Sequence, residues 1–441
     1  MRSSPRGRMG TERGFIRGNT YEKSRRTAEF RQFFVKVNVK VKVKKRSEVG
    51  RGEIFAWCWY DFSNSAFVTV VVTVVGGVFF TQLVCGGREG AEFLWGTALS
   101  ASAAVAMLAG PFLGRWADRK AAKKPLLVGL TLVCVAATSL MGLPVWGVAA
   151  VTGLVVLANA AFLLGENLVA AFLPELAPPG KRGKVSAYGW GFGYVGGLVS
   201  LGLALWILSG PEGSVRKVFP AVAGFMLLAA LPTILFLKER AKPGRGGVTE
   251  PDWRAVWDTI RERPELRRLL LGLGASLTGL SAVVGFASIY ATKEIGFTLE
   301  DTVKLFVVLQ VAAVVGALVT GPWQDWSGAR PVLLSALGLW VLVSAGAWMS
   351  RSAGSFYAVA ALAGLGMGWL QSVGRAAVAE ITPQGRQGEV FGLWGFAGKL
   401  AGILGPLLFG ALAGFVGLRE AVLINGVWFF LGAWVLSKRL R

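Results

Sequence analysis

Histidine is absent from all 441 residues, and only 3 cysteines are present, Cys58, Cys85 and Cys134. Without histidine no serine–histidine or cysteine–histidine nucleophile can be built, and a proton relay inside the chain has to use carboxylates. Three widely spaced cysteines make neither a disulfide framework nor a zinc site. No phosphate-binding loop is present either, so neither a cofactor nor an enzymatic activity is expected. Charge is scarce too: Asp, Glu, Lys and Arg make up 16% of the chain, against about 25% in a soluble domain. Acidic residues are the rarer sign, 25 against 47 Lys and Arg, giving a net charge of +22.

Hydrophobic residues make up 54% of the chain, with 60 glycines and 17 tryptophans. Apolar runs long enough to cross a hydrocarbon core of about 30 Å recur to the C-terminus. Twelve spans are predicted, at 54–81, 93–113, 125–143, 145–173, 185–208, 218–237, 269–292, 303–322, 332–349, 356–381, 390–415 and 422–436. The expected fold is an all-α integral membrane protein of twelve transmembrane helices in two pseudo-symmetric six-helix halves. The halves cover 54–237 and 269–441, joined by a cytoplasmic linker at 238–268 and preceded by a basic tail at 1–50.

That tail holds 15 Lys/Arg against 4 Asp/Glu, half of the whole excess. It includes the alternating run Val35 to Lys44, and it carries no secretory signal. Clustered Lys/Arg suits a disordered arm on anionic lipid. The preferred expectation is an over-extended reading frame, with translation starting near Val49. The remaining excess sits in short loops on one side: Arg115, Arg119, Lys120, Lys123 and Lys124, then Lys181, Arg182 and Lys184, then the linker and the C-terminal tail. This is the positive-inside bias, not a nucleic-acid face, and it places both termini in the cytoplasm.

The two halves repeat. Gly114-Arg-Trp-Ala-Asp118 recurs as Gly321-Pro-Trp-Gln-Asp325, an offset of 207 residues. Glu175, Gly180, Gly183 and Val185 recur as Glu380, Gly385, Gly388 and Val390, an offset of 205. An offset this long fits two duplicated halves rather than a solenoid.

The stretch Gly114 to Lys124 resembles the loop signature of the major facilitator superfamily, between its second and third helices. Gly110 and Gly114 form a small-xxx-small face for a close helix neighbour. Asp118 is placed to meet the positive N-terminus of another helix, expected to be the one starting at Val390. The gating motif is therefore taken as Gly114, Asp118, Arg119, Gly321 and Asp325. A narrower resemblance, to the vacuole-effluxer-like (autophagy-related-protein-twenty-two-like) permeases, lies in Trp57 to Phe67, Phe172 to Glu175, Val185 to Gly197 and Gly398-Lys399…Gly405-Pro406. It implies a permease and, for the eukaryotic branch, release of amino acids from the vacuole. The seventh span departs from that pattern with Leu277-Thr-Gly-Leu-Ser281.

Charges inside apolar spans cost about 2.5–3.5 kcal/mol each on insertion scales, so they are expected to face protein or a watery cavity. Asp61, Glu166, Arg375 and Lys399 are such charges. The first, fourth, seventh and tenth helices line the cavity in the resembled fold, and three of the four fall there. Asp61 and Glu166 are expected to pair with Arg375 or Lys399. Asn64, Asn167, Trp190, Tyr194 and Gln371 complete the candidate substrate or coupling-ion set, with Asn159, Gln310 and Trp394 as weaker neighbours. Plainer roles compete: interhelical hydrogen bonding for Asp61, Asn64 and Glu166, snorkelling for Arg375, interfacial anchoring for the tryptophans.

The functional expectation is a monomeric secondary transporter in the cell membrane, working by alternating access on a small polar solute such as an amino acid. Protons are a candidate coupling ion, and no nucleic-acid partner or metal is expected. A proton-coupled drug or solute antiporter of the same superfamily is the alternative, with an aromatic cavity and one essential carboxylate. A non-transporting receptor on a transporter fold is a further one.

Overall fold

A computed structural model describes residues 49–145, 147–210, 215–240 and 253–438. Residues 1–48, which hold the charges of the basic tail and its valine–lysine run, lie outside the described residues, as do 241–252 of the linker and 439–441. The helices belong to one compact unit, Val49–Arg441.

The chain crosses through twelve spans in order. They are α1 (Arg51–Val74 and Gly76–Val84), α2 (Ala91–Lys120), α3 (Lys123–Met141), α4 (Val148–Ala170), α5 (Arg182–Ser209) and α6 (Val215–Phe236). The second half has α7 (Pro264–Tyr290), α8 (Leu299–Ser327), α9 (Ala329–Met349), α10 (Ala353–Ile381), α11 (Gln387–Val416) and α12 (Leu418–Ser437). Among the described residues eleven helices are long and apolar enough to span, and the bent pair of α1 makes the twelfth.

Three features differ from the sequence expectation. The first span is not one rod: its two segments meet at 46°. Phe67–Val74 is wound as a π-helix, and Val75 breaks it ahead of Gly76 and Gly77. A β-branched run strains a regular helix, and a glycine pair permits the kink. Trp95 of α2 packs into the space those glycines leave. Secondly, helices outrun their apolar cores. Gly114–Lys120 is the end of α2 rather than loop, closed by Ala121 at φ +52. Gly321–Asp325 likewise lies inside α8. Backbone hydrogen bonding continues into the interface while hydropathy has already fallen, so an apolar run underestimates a helix. Thirdly, the 238–268 linker contains a helix, Trp253–Arg261, and the start of α7.

The halves share one packing plan. α1 lies on α5 and α6 as α7 lies on α11 and α12; α2 meets α4 as α8 meets α10; α3 meets α6 as α9 meets α12. Between halves, α2 crosses α11 and α5 crosses α8. Outward-facing positions stay apolar, with Phe415 89% and Phe93 81% exposed, a surface that suits acyl chains and not water. The linker returns to the first half at Glu53, which accepts from Lys238 N at 3.1 Å and from both Arg240 amino groups at 2.5 Å. That hydrogen bond first, and then the carboxylate's charge, raise Arg240 above the usual guanidinium range.

Candidate functional site

At the end bearing the basic loops the halves are in direct contact. A side-chain carbon on Gly114 would run into Gly388 O, and one on Gly183 into Gly321 O. Only glycine lets these backbones approach so closely. Beside each crossing a carboxylate caps the partner helix. Asp118 accepts from Gly388 N and Glu389 N at 3.0 Å, at the start of α11. Asp325 accepts from Gly183 N at 2.8 Å and Lys184 N at 2.9 Å, at the start of α5. Each answers unpaired N–H groups and the positive end of a helix dipole. Arg119 lies in the last turn of α2, and Arg182 Nη1 donates to Ala379 O of α10 at 2.9 Å.

Deeper in, Arg375 of α10 grips the first half. Its Nη1 donates to Asp61 Oδ2 at 2.7 Å, its Nε to Ser186 Oγ at 3.1 Å and its Nη2 to Ser186 O at 2.8 Å. The guanidinium also faces the Trp57 and Trp190 rings, at 4.7 and 5.2 Å. Arg375 is 3% exposed, so the snorkelling alternative fails: its charge is turned inward and answered there. Sequence reading missed Ser186 and Trp57 as its partners. Both lie within quoted motifs, but only the crossing of α5 and α10 shows whom they face.

The other two charges meet at the α4–α11 seam. Lys399 and Arg375 both attract the Glu166 carboxylate electrostatically, and Asp61 opposes it. Yet Lys399 Nζ makes its hydrogen bond to Asn167 Oδ1, at 3.4 Å, and not to the Glu166 carboxylate. Of the expected pairs, the structure joins Asp61 with Arg375 and leaves Glu166 and Lys399 coupled without contact. Both are half-buried although deep among helices. Asn167 Nδ2 and Trp190 Nε1 are buried donors with no partner.

Between α5 and α10, Tyr194 Oη donates to Gln371 Oε1 at 3.3 Å, and the Trp190 and Tyr194 rings lie 5.8 Å apart. Trp190 and Tyr194 thus face inward rather than anchoring an interface. Asn64 is buried one turn beyond Asp61, and Asn159 binds Ser102 of α2 at 2.5 Å, a contact between neighbouring helices. Among the described residues every cross-half hydrogen bond lies in the basic half of the bundle. The protein is therefore closed at that end.

Two duplicated six-helix halves, joined at one end by glycine crossings and helix caps around buried ionisable side chains, define a membrane transporter of the major facilitator type. A sequence profile described as "Vacuole effluxer Atg22 like" matches residues 93–437, and the chain belongs to that family. Uncharacterized MFS-type transporter YxiO of Bacillus subtilis is 23% identical over 394 residues, covering 85% of this chain and 92% of YxiO. Autophagy-related protein 22 of Eremothecium gossypii is 24% identical over 260 residues, 52% of this chain and 50% of that protein, so the match spans about half its length. Among solved structures, the human organic anion transporter MFSD10 superposes with a TM-score of 0.72 at 16% identity, over 88% of this chain and 99% of the other.

Proposed function

We propose that the protein carries a small bipolar solute, an amino acid being the best fit, by alternating access in the cell membrane with both termini cytoplasmic. The observation that carries this reading is the cluster of two acidic and two basic side chains, Asp61, Glu166, Arg375 and Lys399, between the halves. Asp61 and Arg375 satisfy each other across the halves. Glu166 and Lys399 do not, and each retains capacity for a partner of opposite sign. A solute ammonium suits Glu166, and a solute carboxylate suits Lys399 and the unpaired Asn167 Nδ2. The antiporter alternative wants one carboxylate in an aromatic cavity, and four balanced charges favour the zwitterion.

Alternating access is supported by the seams. The Asp118 and Asp325 caps, the glycine crossings and the Arg375 clamp exist only while the basic end is shut, so releasing them lets the halves rock. The Asp61–Arg375 pair acts as an ionic bolt between the halves, and protonation of one of the acidic side chains is the proposed means of loosening the charge balance.

Counterflow in proteoliposomes loaded with unlabelled amino-acid pools tests the reading, with Asp61→Asn, Glu166→Gln and Lys399→Met alongside. Wild type should exchange label and the three variants should lose at least tenfold, the worth of one buried charge contact. Folded wild-type protein that exchanges nothing from any pool would remove the amino-acid assignment.

A further inference from the structure

The interface between the halves has two seams, α4 on α11 and α5 on α10, that are twins by duplication. α4 and α5 map onto α10 and α11 at a constant offset of 205 residues, as Glu175 maps onto Glu380 and Val185 onto Val390. The same offset carries Glu166 onto Gln371 and Tyr194 onto Lys399. Glu166 and Lys399 therefore stand at the α4–α11 seam where Gln371 and Tyr194 stand at the α10–α5 seam. The contacts agree with this placement: Tyr194 bonds Gln371 at 3.3 Å, and Lys399 bonds Asn167, the neighbour of Glu166, at 3.4 Å.

Equivalent places carry different chemistry. One seam holds an acidic and a basic side chain, Glu166 and Lys399. The other holds a hydroxyl and an amide, beside Trp190 with its unpartnered buried N–H. The nearest cation to that seam, Arg375, is already answered by Asp61 and Ser186. A bipolar solute has one seam able to take its charged head, and its distal end is left against the neutral seam.

We propose that Tyr194 and Gln371 are specificity-determining residues that set the charge class of the solute's distal group. An uncharged distal group meets amide, hydroxyl and indole N–H there. An ionised one is stripped of water against side chains that offer, among the described residues, no free counter-ion, which is costly. The inference rests on the bipolar-solute reading above, and it adds which residues reject a second charge.

Competition counterflow tests it, using leucine, glutamine, glutamate and arginine against labelled leucine. Wild type should prefer leucine and glutamine over arginine and glutamate by about tenfold or more. Gln371→Glu copies Glu166 onto the neutral seam, and it should raise arginine relative to leucine by about tenfold. Tyr194→Lys should do the same for glutamate. Tyr194→Phe, a milder change that guards against misfolding, should lower glutamine relative to leucine while both charged solutes stay excluded. Glu166→Gln should slow all four alike. Absence of any exchange in wild type would remove the bipolar-solute reading and this inference with it. Wild-type exchange whose ranking stays fixed in Gln371→Glu, Tyr194→Lys and Tyr194→Phe would overturn this inference alone.

Discussion

Replacing Asp118 by alanine should move the resting conformation away from closure at the basic end. Its carboxylate is 6% exposed and accepts two backbone N–H groups of α11, at 3.0 Å each. A hydrogen bond to a charged acceptor contributes about 1.5–3 kcal/mol net, and two on one carboxylate are not independent, so about 2–4 kcal/mol is reasonable for the pair. Those bonds exist only while α2 meets α11, so the loss falls on the closed state alone. At about 1.4 kcal/mol per decade the opening equilibrium shifts roughly 30- to 700-fold. Spin labels at Lys120 and Gln384, exposed and on opposite halves, report the gap by pulsed EPR in a background with Cys58, Cys85 and Cys134 replaced. Wild type should give one short distance and Asp118→Ala a second, longer one. Asp325→Ala acts on the twin crossing, and the double variant should add the two shifts because the crossings share no partner. An unchanged distance distribution in folded, monodisperse Asp118→Ala protein would refute the latch.

Other expectations rest on the same contacts. Arg375→Ala strands the Asp61 carboxylate and should destabilise the fold by about 3–5 kcal/mol in detergent unfolding, whereas Asp61→Ala/Arg375→Ala should recover part of that; a double variant no more stable than the single one counts against the pair. Gly114→Val forces a side chain into Gly388 O and should cost about 1–3 kcal/mol or hold the basic end open in the same EPR pair; a wild-type melting temperature and distance would disprove close approach. Thr259 Oγ1 donates to the buried Glu389 Oε1 at 2.7 Å, so Thr259→Ala should speed hydrogen exchange in Trp253–Arg261 by about tenfold or more. Equal exchange rates would mean that the linker helix is not docked through Glu389.

Composition and periodic signals were enough for the class of fold. Twelve apolar runs, one-sided basic loops and the recurrence of Gly-x-x-x-Asp were all legible, because a bilayer imposes length and hydropathy on every span whatever it packs against. The resemblance at Trp57 to Phe67 and Val185 to Gly197 reached the family for a similar reason: it lies in contiguous residues. The break in α1 was not legible, since Phe67–Val84 is almost uniformly apolar and only packing of Trp95 against Gly76 and Gly77 reveals the bend. Helix ends at Lys120 and Ser327 were set by backbone hydrogen bonds that hydropathy does not record. Four isolated charges marked themselves by their cost in lipid. Which of them touch was decided only by tertiary structure, because Asp61 and Arg375 are 314 residues apart and meet through the crossing of two helices from different halves. The packing of α4 on α11 and of α5 on α10 turned a repeat offset in the sequence into two seams of different chemistry.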